Sequence, residues 1–264
     1  MDSKSWSPDT FVNDKSIKAN PSTKLTAVWH NCAKLNVCPD CDDVCSDYSL
    51  NGTVIIYQDL DGRLSLRNDS RFDYGDIYQI STAPAAPGTG LSLIRPTQWT
   101  NAPTGELELY YTGTDGTAQG VNWNPKKGWQ QCEFLSRIIL PMGLTSTSAT
   151  SNGAISTSSN APYAAIVPGG SSTIRDVFFN AGGKLHAVSC GADATCTKAN
   201  QDSSLTVPGD QLVSNSSIAV TAQGQMLYAI VQGNNGEPAI KQWKLASDGE
   251  SWQAQQGNVN SQGL

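Results

Sequence analysis

Short alternations of apolar and polar residues, broken by tight turns, recur along this chain. The stretch "VIIYQDLDGRLSL", residues 54–66, has two such alternations on either side of an Asp-Gly turn, which is typical of a β-hairpin. Similar stretches begin at residues 107, 174 and 226. Their turn glycines are Gly62, Gly116, Gly183 and Gly236, at intervals of 54, 67 and 53 residues. This spacing predicts one supersecondary unit used four times.

Each repeat is longer than its hairpin. A more polar segment, often with a Trp, follows the hairpin, and a short apolar segment precedes it. The preceding segments are residues 25–30, 91–96, 163–169 and 217–223. Gly, Pro, Asn and Ser interrupt every window that could hold a helical period, whereas Val, Ile, Tyr and Thr mark the strands. The unit is therefore predicted to be a four-stranded sheet with an apolar inner strand and a polar outer strand.

Repeated four-stranded sheets favour a β-propeller, which arranges such sheets around a central channel. The chain is predicted to be all-β, with residues 1–264 forming a single propeller domain of four or five four-stranded blades. Residues 137–159 would hold a degenerate fifth blade. A strand at residues 10–17 would complete the last blade, so that N- and C-terminal strands close the ring. The competing interpretation is a β-sandwich with regularly spaced hairpins.

Composition narrows the range of partners. Only 15% of the residues are charged and the net charge is −6, which disfavours nucleic-acid binding because phosphate contacts need clustered Lys and Arg. No basic amphipathic stretch predicts a membrane-surface helix, and no apolar run approaches the roughly 20 residues that a membrane-spanning helix needs. A small molecule or a glycan is the expected partner, and the sequence does not predict an oligomeric state.

Cysteines and sequons predict the secretory pathway. Seven cysteines are many for a cytosolic protein, and Asn51, Asn68 and Asn215 each begin an Asn-x-Ser/Thr triplet, so they are predicted glycosylation sites. The first residues lack the apolar core of a signal peptide, so a signal would have to precede them.

The cysteine spacing favours disulfides over a metal site. Two disulfides are predicted within a cluster that consists of Cys32, Cys38, Cys41 and Cys45. Zinc is the alternative, but only one C-x2-C pair is present and the remaining spacing is irregular. Cys190 and Cys196 enclose a short loop and are expected to pair with each other. Cys132, in an apolar strand, is then left as a buried and inert thiol.

No motif for nucleophilic or cofactor chemistry stands out. The two histidines, His30 and His186, have no Ser or Cys in a recognisable nucleophile turn, and G-x-S-x-G is absent. The carboxylates lie mostly at turns, where Asp suits the backbone, and the Asp spacing at residues 40–47 does not match an EF-hand loop. No cofactor and no metal are therefore predicted.

What remains is a set of aromatic and hydrogen-bonding residues on the strands. For any single aromatic residue, packing in the core is the commoner role. Because alternate residues of a strand face opposite sides, a subset is expected to line a ligand pocket with apolar walls and a few polar groups. The predicted ligand-binding residues are Trp29, His30, Arg95, Trp99, Tyr110, Trp123, Phe178, Tyr228 and Trp243.

The repeated unit resembles the blades of fungal fucose-binding lectins. It consists of a strand, a second strand with the pattern I/L-x-V/L-Y-Y, a D-G turn, a third strand and then G-W. The resemblance covers four stretches between residues 25 and 255 and implies a propeller fold. In those lectins an Arg beginning the second strand, a Glu on the third and an aromatic residue hold the sugar between blades. Here Arg175 in "IRDVFF" matches the Arg, but Ile55 and Glu108 occupy the same position in two other repeats. The Arg appears only in that third repeat, and the third strands of the first three repeats lack the Glu, so no blade has the complete set.

The chain is also similar, as a small cysteine-containing all-β protein without a catalytic triad, to the hetero-Diels–Alderases of fungal tropolone-sesquiterpene pathways. No motif carries catalytic residues over from that family. The resemblance implies a cofactor-independent pericyclase that joins a tropolone quinone methide to a humulene-type sesquiterpene, which needs only orientation and a hydrogen-bond donor. Arg175, Lys241 and His186 are the expected donors. This enzyme is the leading hypothesis. The alternatives are a secreted fucose-type lectin and a secreted interaction protein.

Overall fold

The computed structural model describes fifteen parts of the chain, and every structural statement below concerns these parts. They are residues 19, 21–30, 52–68, 78–80, 84–95, 107–124, 128–132, 162–167, 174–181, 183–191, 211–213, 216–221, 225–232, 236–247 and 252–255. Within them the chain forms sixteen strands and no helix, which confirms the prediction of an all-β protein. The described residues accordingly include no helix that is long and apolar enough to cross a membrane.

The first two sheets have four antiparallel strands each, in chain order. Sheet 1 consists of β1 Thr26–His30, β2 Gly52–Gln58, β3 Leu64–Asn68 and β4 Tyr78–Gln79. Sheet 2 consists of β5 Ser92–Ile94, β6 Leu107–Thr112, β7 Ala118–Asn124 and β8 Gly128–Cys132. Both sheets have the predicted inner strand, hairpin and outer strand.

The other two sheets vary this plan. Sheet 3 consists of β9 Tyr163–Ile166, β10 Ile174–Ala181 and β11 Lys184–Gly191. Sheet 4 consists of β12 Gln211–Leu212, β13 Ile218–Thr221, β14 Met226–Gln232, β15 Pro238–Leu245 and β16 Trp252–Ala254. Here β12 and β13 both pair with the same edge of β14, at its opposite ends, so two short strands together occupy the position of one inner strand.

A left-handed glycine closes each of the four hairpins. The φ angles of Gly62, Gly116, Gly183 and Gly236 lie between 75° and 79°. At the first turn the Gly62 N–H donates to the Asp59 carbonyl (3.0 Å) and the Asp59 N–H donates to the Arg63 carbonyl (2.9 Å). This is a three-residue loop ending in a G1-type bulge, a common hairpin connection. The Asp59 carboxylate also accepts the Asp61 and Arg63 N–H groups, so this acidic residue serves the turn.

The inner strands bring the four sheets together. β1 contacts β5, β5 contacts β9, and β9 contacts β13. The Leu93 N–H donates to the Thr26 hydroxyl across the first of these junctions (2.9 Å). Contacts between successive innermost strands are those expected around a propeller channel, whereas a sandwich would place the strands in two large facing sheets.

Two apolar cores hold the sheets in pairs. One lies between sheets 1 and 2 and includes Val54, Ile56, Leu107, Leu109 and Tyr111. The other joins sheets 3 and 4 and includes Phe178, Leu185, Leu227, Trp243 and Trp252. Each fully buried large side chain of this kind contributes roughly 1.5–3 kcal/mol of transfer free energy, so the sheets stabilise one another through these contacts.

Several predictions of the sequence fall outside the described residues. They include the fifth blade at 137–159 and the closing strand at 10–17. Blade number, ring closure and a single domain spanning 1–264 therefore stay predictions. Also outside are Cys32, Cys38, Cys41, Cys45, Cys196, Asn51 and Asn215. The backbones of Asn68, Cys132 and Cys190 lie in β3, β8 and β11, respectively.

Candidate functional site

The contact between sheets 2 and 3 differs in composition from the two apolar cores. Strand β6 is buried along its whole length, and its residues alternate between two neighbours. Leu107, Leu109 and Tyr111 pack in the core shared with sheet 1. Glu108 and Thr112 lie on the opposite face. We call the contact on that face the seam, defined by Glu108, Tyr110, Thr112, Tyr163, Phe179 and His186.

A buried carboxylate is the most distinctive group of the seam. Glu108 is 9% exposed and Tyr110 is 1% exposed. The Tyr110 hydroxyl donates a hydrogen bond to Glu108 Oε2 at 2.7 Å. Glutamate is rarely so well buried unless it has partners, and a hydrogen bond to an ionised carboxylate is stronger than one between neutral groups. The hydroxyl therefore both stabilises the carboxylate and fixes its orientation.

Three rings of sheet 3 stack in a row, and one hydrogen bond links the first of them to sheet 2. Tyr163 stacks on Phe179 at a centroid distance of 5.8 Å, and Phe179 stacks on His186 at 5.6 Å with an interplanar angle of 10°. Tyr163 Oη lies 3.1 Å from Thr112 Oγ1, so this hydrogen bond crosses from sheet 3 to sheet 2. Aromatic pairs of this kind contribute about 0.5–1.5 kcal/mol beyond their buried area. The seam is therefore a buried contact made of stacked rings and hydrogen-bonded polar atoms.

The backbone places Arg175 at the end of β10 that precedes the seam rings. Arg175 pairs in register with Cys190, and Phe179 pairs with His186 four positions further along the strand. Because strand positions alternate with a period of two, positions 175 and 179 belong to the same face of β10. Glu108 occupies the matching position near the start of β6. Glu108 and Arg175 are therefore at equivalent positions, since each is the second residue of the second strand of its sheet.

Three predicted ligand-binding aromatics lie in the apolar cores. Trp123 packs in the core of sheets 1 and 2, and Phe178 and Trp243 pack in the core of sheets 3 and 4. The Phe178 ring meets Trp252 edge to face, with centroids 5.0 Å apart. Trp252 Nε1 in turn donates to the buried Asp176 carboxylate at 3.0 Å. Packing in the cores accounts for the positions of these rings, and their part in ligand binding stays a prediction.

The remaining predicted residues are dispersed. Tyr228 and Lys241 are half-buried on neighbouring strands of sheet 4, and Arg95 follows β5. Burial lowers the pKa of the Arg95 guanidinium from its ordinary value. Trp29 and His30 belong to β1 by their backbones, and Trp99 lies outside the described residues. From the predicted set, Tyr110 lies on the sheet 2 side of the seam and His186 on its sheet 3 side, and position 175 is on the same face of β10 as Phe179.

Four residues of the seam were not predicted as site residues. Glu108 was noted only as a departure from the lectin pattern, and Thr112, Tyr163 and Phe179 were not among the predicted site residues. One signal was present in "LELYYT", because a lone carboxylate inside an otherwise apolar strand implies a buried partner. No local signal could have paired Thr112 with Tyr163, which are 51 residues apart.

Comparison with known proteins identifies the fold. The chain is similar to the six-bladed β-propeller lectin of Aleuria aurantia, with a TM-score of 0.52 and 16% identity over 93% of this chain and 66% of that one. It is also similar to AofleA from Arthrobotrys oligospora, with a TM-score of 0.54 and 13% identity over 91% of this chain and 57% of that one. The first of these structures is described as showing a novel mode of fucose recognition. The sequence matches no protein-family model and no curated protein.

These similarities confirm the propeller resemblance, and at such low identity they concern the fold. The chain spans less than two thirds of the length of either of these proteins. The described strands form four sheets, whereas the Aleuria aurantia lectin has six blades.

Proposed function

We propose that this protein is a carbohydrate-binding β-propeller and that the end of the seam near Glu108 and Arg175 holds the sugar. The observation that carries the proposal is the match of more than nine tenths of the chain to the fungal propeller lectin of Aleuria aurantia and to AofleA. The seam supports the location, because the buried Glu108 lies on the face of sheet 2 that Thr112 and Tyr163 link to the stacked rings of sheet 3.

The seam offers the chemistry that a sugar requires. Sugar hydroxyls both donate and accept hydrogen bonds, and the C–H face of a sugar ring packs on aromatic surfaces. A carboxylate accepts several hydrogen bonds and a guanidinium donates up to five, so Glu108 and Arg175 would together bind adjacent hydroxyls. His186 stacks on the fully buried Phe179 and is itself 8% exposed, so His186 would present the ring to the sugar.

The proposed arrangement differs from the lectin pattern. In the fungal lectins the Arg and the Glu come from the second and third strands. In this protein the Arg belongs to the second strand of sheet 3 and the Glu to the second strand of sheet 2. A site divided between sheets in this way implies a different hydroxyl geometry, so we do not assign fucose as the sugar.

The experiment is a glycan array followed by titration of the best glycan. We expect Arg175→Ala and Glu108→Gln each to weaken binding by roughly 10- to 100-fold, the range for losing a hydrogen bond to a charged group. Arg63→Ala is the matched control, because Arg63 is well exposed at the turn of sheet 1. Absence of binding to every glycan, or equal affinity of all three variants and the parent, would refute the proposal.

The hetero-Diels–Alderase hypothesis receives no support from the described residues or from the comparisons. The sequons and cysteines continue to support a secreted location, and we include secretion in the proposal.

A further inference from the structure

Trp252 connects the outer strand of sheet 4 to the second strand of sheet 3. It belongs to β16, a strand of three residues that pairs with β15. Its indole Nε1 donates a hydrogen bond to Asp176 Oδ2 of β10 at 3.0 Å. Its ring meets the Phe178 ring edge to face, with the two centroids 5.0 Å apart. One side chain of sheet 4 therefore contacts two alternate residues of β10.

The contact between Trp252 and Asp176 is closed to water. Trp252 is 5% exposed and Asp176 is 2% exposed. A carboxylate is rarely buried to this extent unless it has partners, and a bond that it accepts is stronger than one between neutral groups. An apolar residue at position 176 could fill the core without needing a donor. The polar pair instead favours one arrangement of the two strands, because a different register would take the carboxylate away from the indole.

Asp176 is also the neighbour of the ionisable position in the proposed sugar site. Arg175 pairs with Cys190 of β11, but in the described part of the chain the ladder between β10 and β9 begins at Asp176. Asp176 is therefore held by strands on both edges, whereas position 175 is held on one. The hydrogen bond from Trp252 fixes the residue at which the more strongly held part of β10 begins.

Fixing Asp176 also fixes the side to which position 175 belongs. Neighbouring residues of a strand face opposite sides of the sheet, so holding residue 176 against sheet 4 places position 175 on the seam face. Phe179 lies on that same face, in the seam. A shift of one residue at the start of β10 would move position 175 to the other face.

From this geometry we propose that Trp252 is a positioning residue for the sugar site: through Asp176 it holds the start of β10, so that position 175 faces the seam. This inference rests on the proposed function, because it assigns Trp252 an effect on sugar binding without contact with the sugar. Trp252 packs in the core of sheets 3 and 4, on the face of β10 opposite to the seam. Its effect on affinity must therefore pass through β10.

The test is a double-mutant cycle on glycan affinity with the parent, Trp252→Phe, Arg175→Ala and the double variant. Trp252→Phe removes the Nε1 donor and keeps an aromatic ring beside Phe178. We expect it to weaken binding of the best array glycan by about three- to tenfold, which is less than the complete loss of a hydrogen bond to a charged group. In the Arg175→Ala background the same change should alter affinity by less than about twofold, because position 175 no longer binds the sugar. Equal losses in the two backgrounds, or no loss in either, would overturn the proposal.

Leu245→Ala is the matched control for lost core stability. Leu245 is 4% exposed in the same core and pairs in register with Trp252, but its side chain forms no hydrogen bonds. Truncating a buried leucine leaves a cavity, so this variant should melt at a lower temperature than the parent. Its glycan affinity should change by less than about twofold, because the bond to Asp176 is retained. A loss of affinity as large as that of Trp252→Phe would assign the effect to core stability and contradict the proposal.

Hydrogen exchange without ligand separates this inference from the proposed function. In Trp252→Phe the backbone amides at positions 175 and 176 should lose protection relative to the amide of Phe179, whereas Leu245→Ala should change all three amides alike. If the array shows glycan binding but this relative protection is unchanged in Trp252→Phe, the proposed function stands and positioning by Trp252 is refuted. A blank array would refute the proposed function, and with it any part of Trp252 in sugar binding.

Asp176→Asn covers the case in which Trp252→Phe does not fold. The amide oxygen of Asn can still accept from the indole, but a bond between neutral groups is weaker than one to a carboxylate. We expect a loss of glycan affinity of about two- to fivefold that disappears in the Arg175→Ala background. In that case, unchanged affinity or the same loss in both backgrounds would contradict the proposal.

Discussion

Removing one hydroxyl tests whether the buried carboxylate of the seam is held as the structure shows. Tyr110→Phe deletes the oxygen that donates to Glu108 Oε2 at 2.7 Å and leaves the ring in place. Hydrogen bonds to charged groups contribute about 1.5–3 kcal/mol, and Glu108 is only 9% exposed, so water restores little of this stabilisation. We expect the free energy of unfolding to fall by about 1.5–3 kcal/mol.

The assay is urea unfolding of four proteins: the parent, Tyr110→Phe, Glu108→Gln and the double variant. A lower midpoint with an unchanged m-value would show lost stability without a change in the unfolded state. Because each residue makes further interactions, the pair energy comes from the double-mutant cycle, in which we expect a coupling of about 1–3 kcal/mol. Tyr228→Phe, on a half-buried strand position of sheet 4, is the control and should change stability by less than about 0.5 kcal/mol. A coupling below about 0.5 kcal/mol would refute the assigned contact.

Three further predictions concern a turn, a titrating group and the cysteines. Gly62→Ala should lower the free energy of unfolding by about 1–2 kcal/mol in thermal melts, because φ is 79° and an alanine is strained there. A clash is not the cause, since a Cβ at this position would meet no atom closer than 3.7 Å. Gly62→Asn should lower the free energy of unfolding less, and equal losses for the two variants would contradict a purely conformational cause. Burial, reinforced by the charge of Asp59, raises the pKa of Tyr57 above its ordinary value of 10.0, so the folded state disfavours the tyrosinate. The free energy of unfolding should therefore be constant below about pH 10 and fall at higher pH. Tyr57→Phe should make that fall smaller in thermal melts between about pH 9 and 11. Mass measurement before and after reduction should show three disulfides and one thiol, and a retained stoichiometric zinc ion would overturn this assignment.

The hairpins and their flanking strands could be predicted because their causes are local. The period-2 pattern and the turn glycines lie within a dozen residues of each other, and all four glycines adopt the left-handed conformation that the turns need. The division of the fourth inner strand into β12 and β13 was not predicted. It depends on how the chain between Leu212 and Ile218 returns to the edge of β14, which the alternation pattern does not encode.

The functional residues were harder to predict because their roles depend on which face of a strand they occupy. Trp243 and Tyr228 are equally plausible ligand contacts in the sequence, yet one is 1% exposed in a core and the other is half-buried. Phe178 and Phe179 are adjacent, and the first packs in the core with sheet 4 while the second stacks in the seam. Shifting a strand by one residue would move each of its side chains to the opposite face of the sheet, so these roles cannot be assigned without the strand register.

The pairing of the sheets gives this molecule a natural breakpoint. Sheets 1 and 2 share one core and sheets 3 and 4 share another, and the link between β8 and β9 is the chain connection between the two pairs. A backbone cleavage in that link would leave both cores as they are, and the two fragments would still meet through the contact of β5 with β9 and the hydrogen bond of Thr112 with Tyr163. The two fragments would each retain a nucleus for folding, so this link is the position at which to divide the protein for fragment complementation.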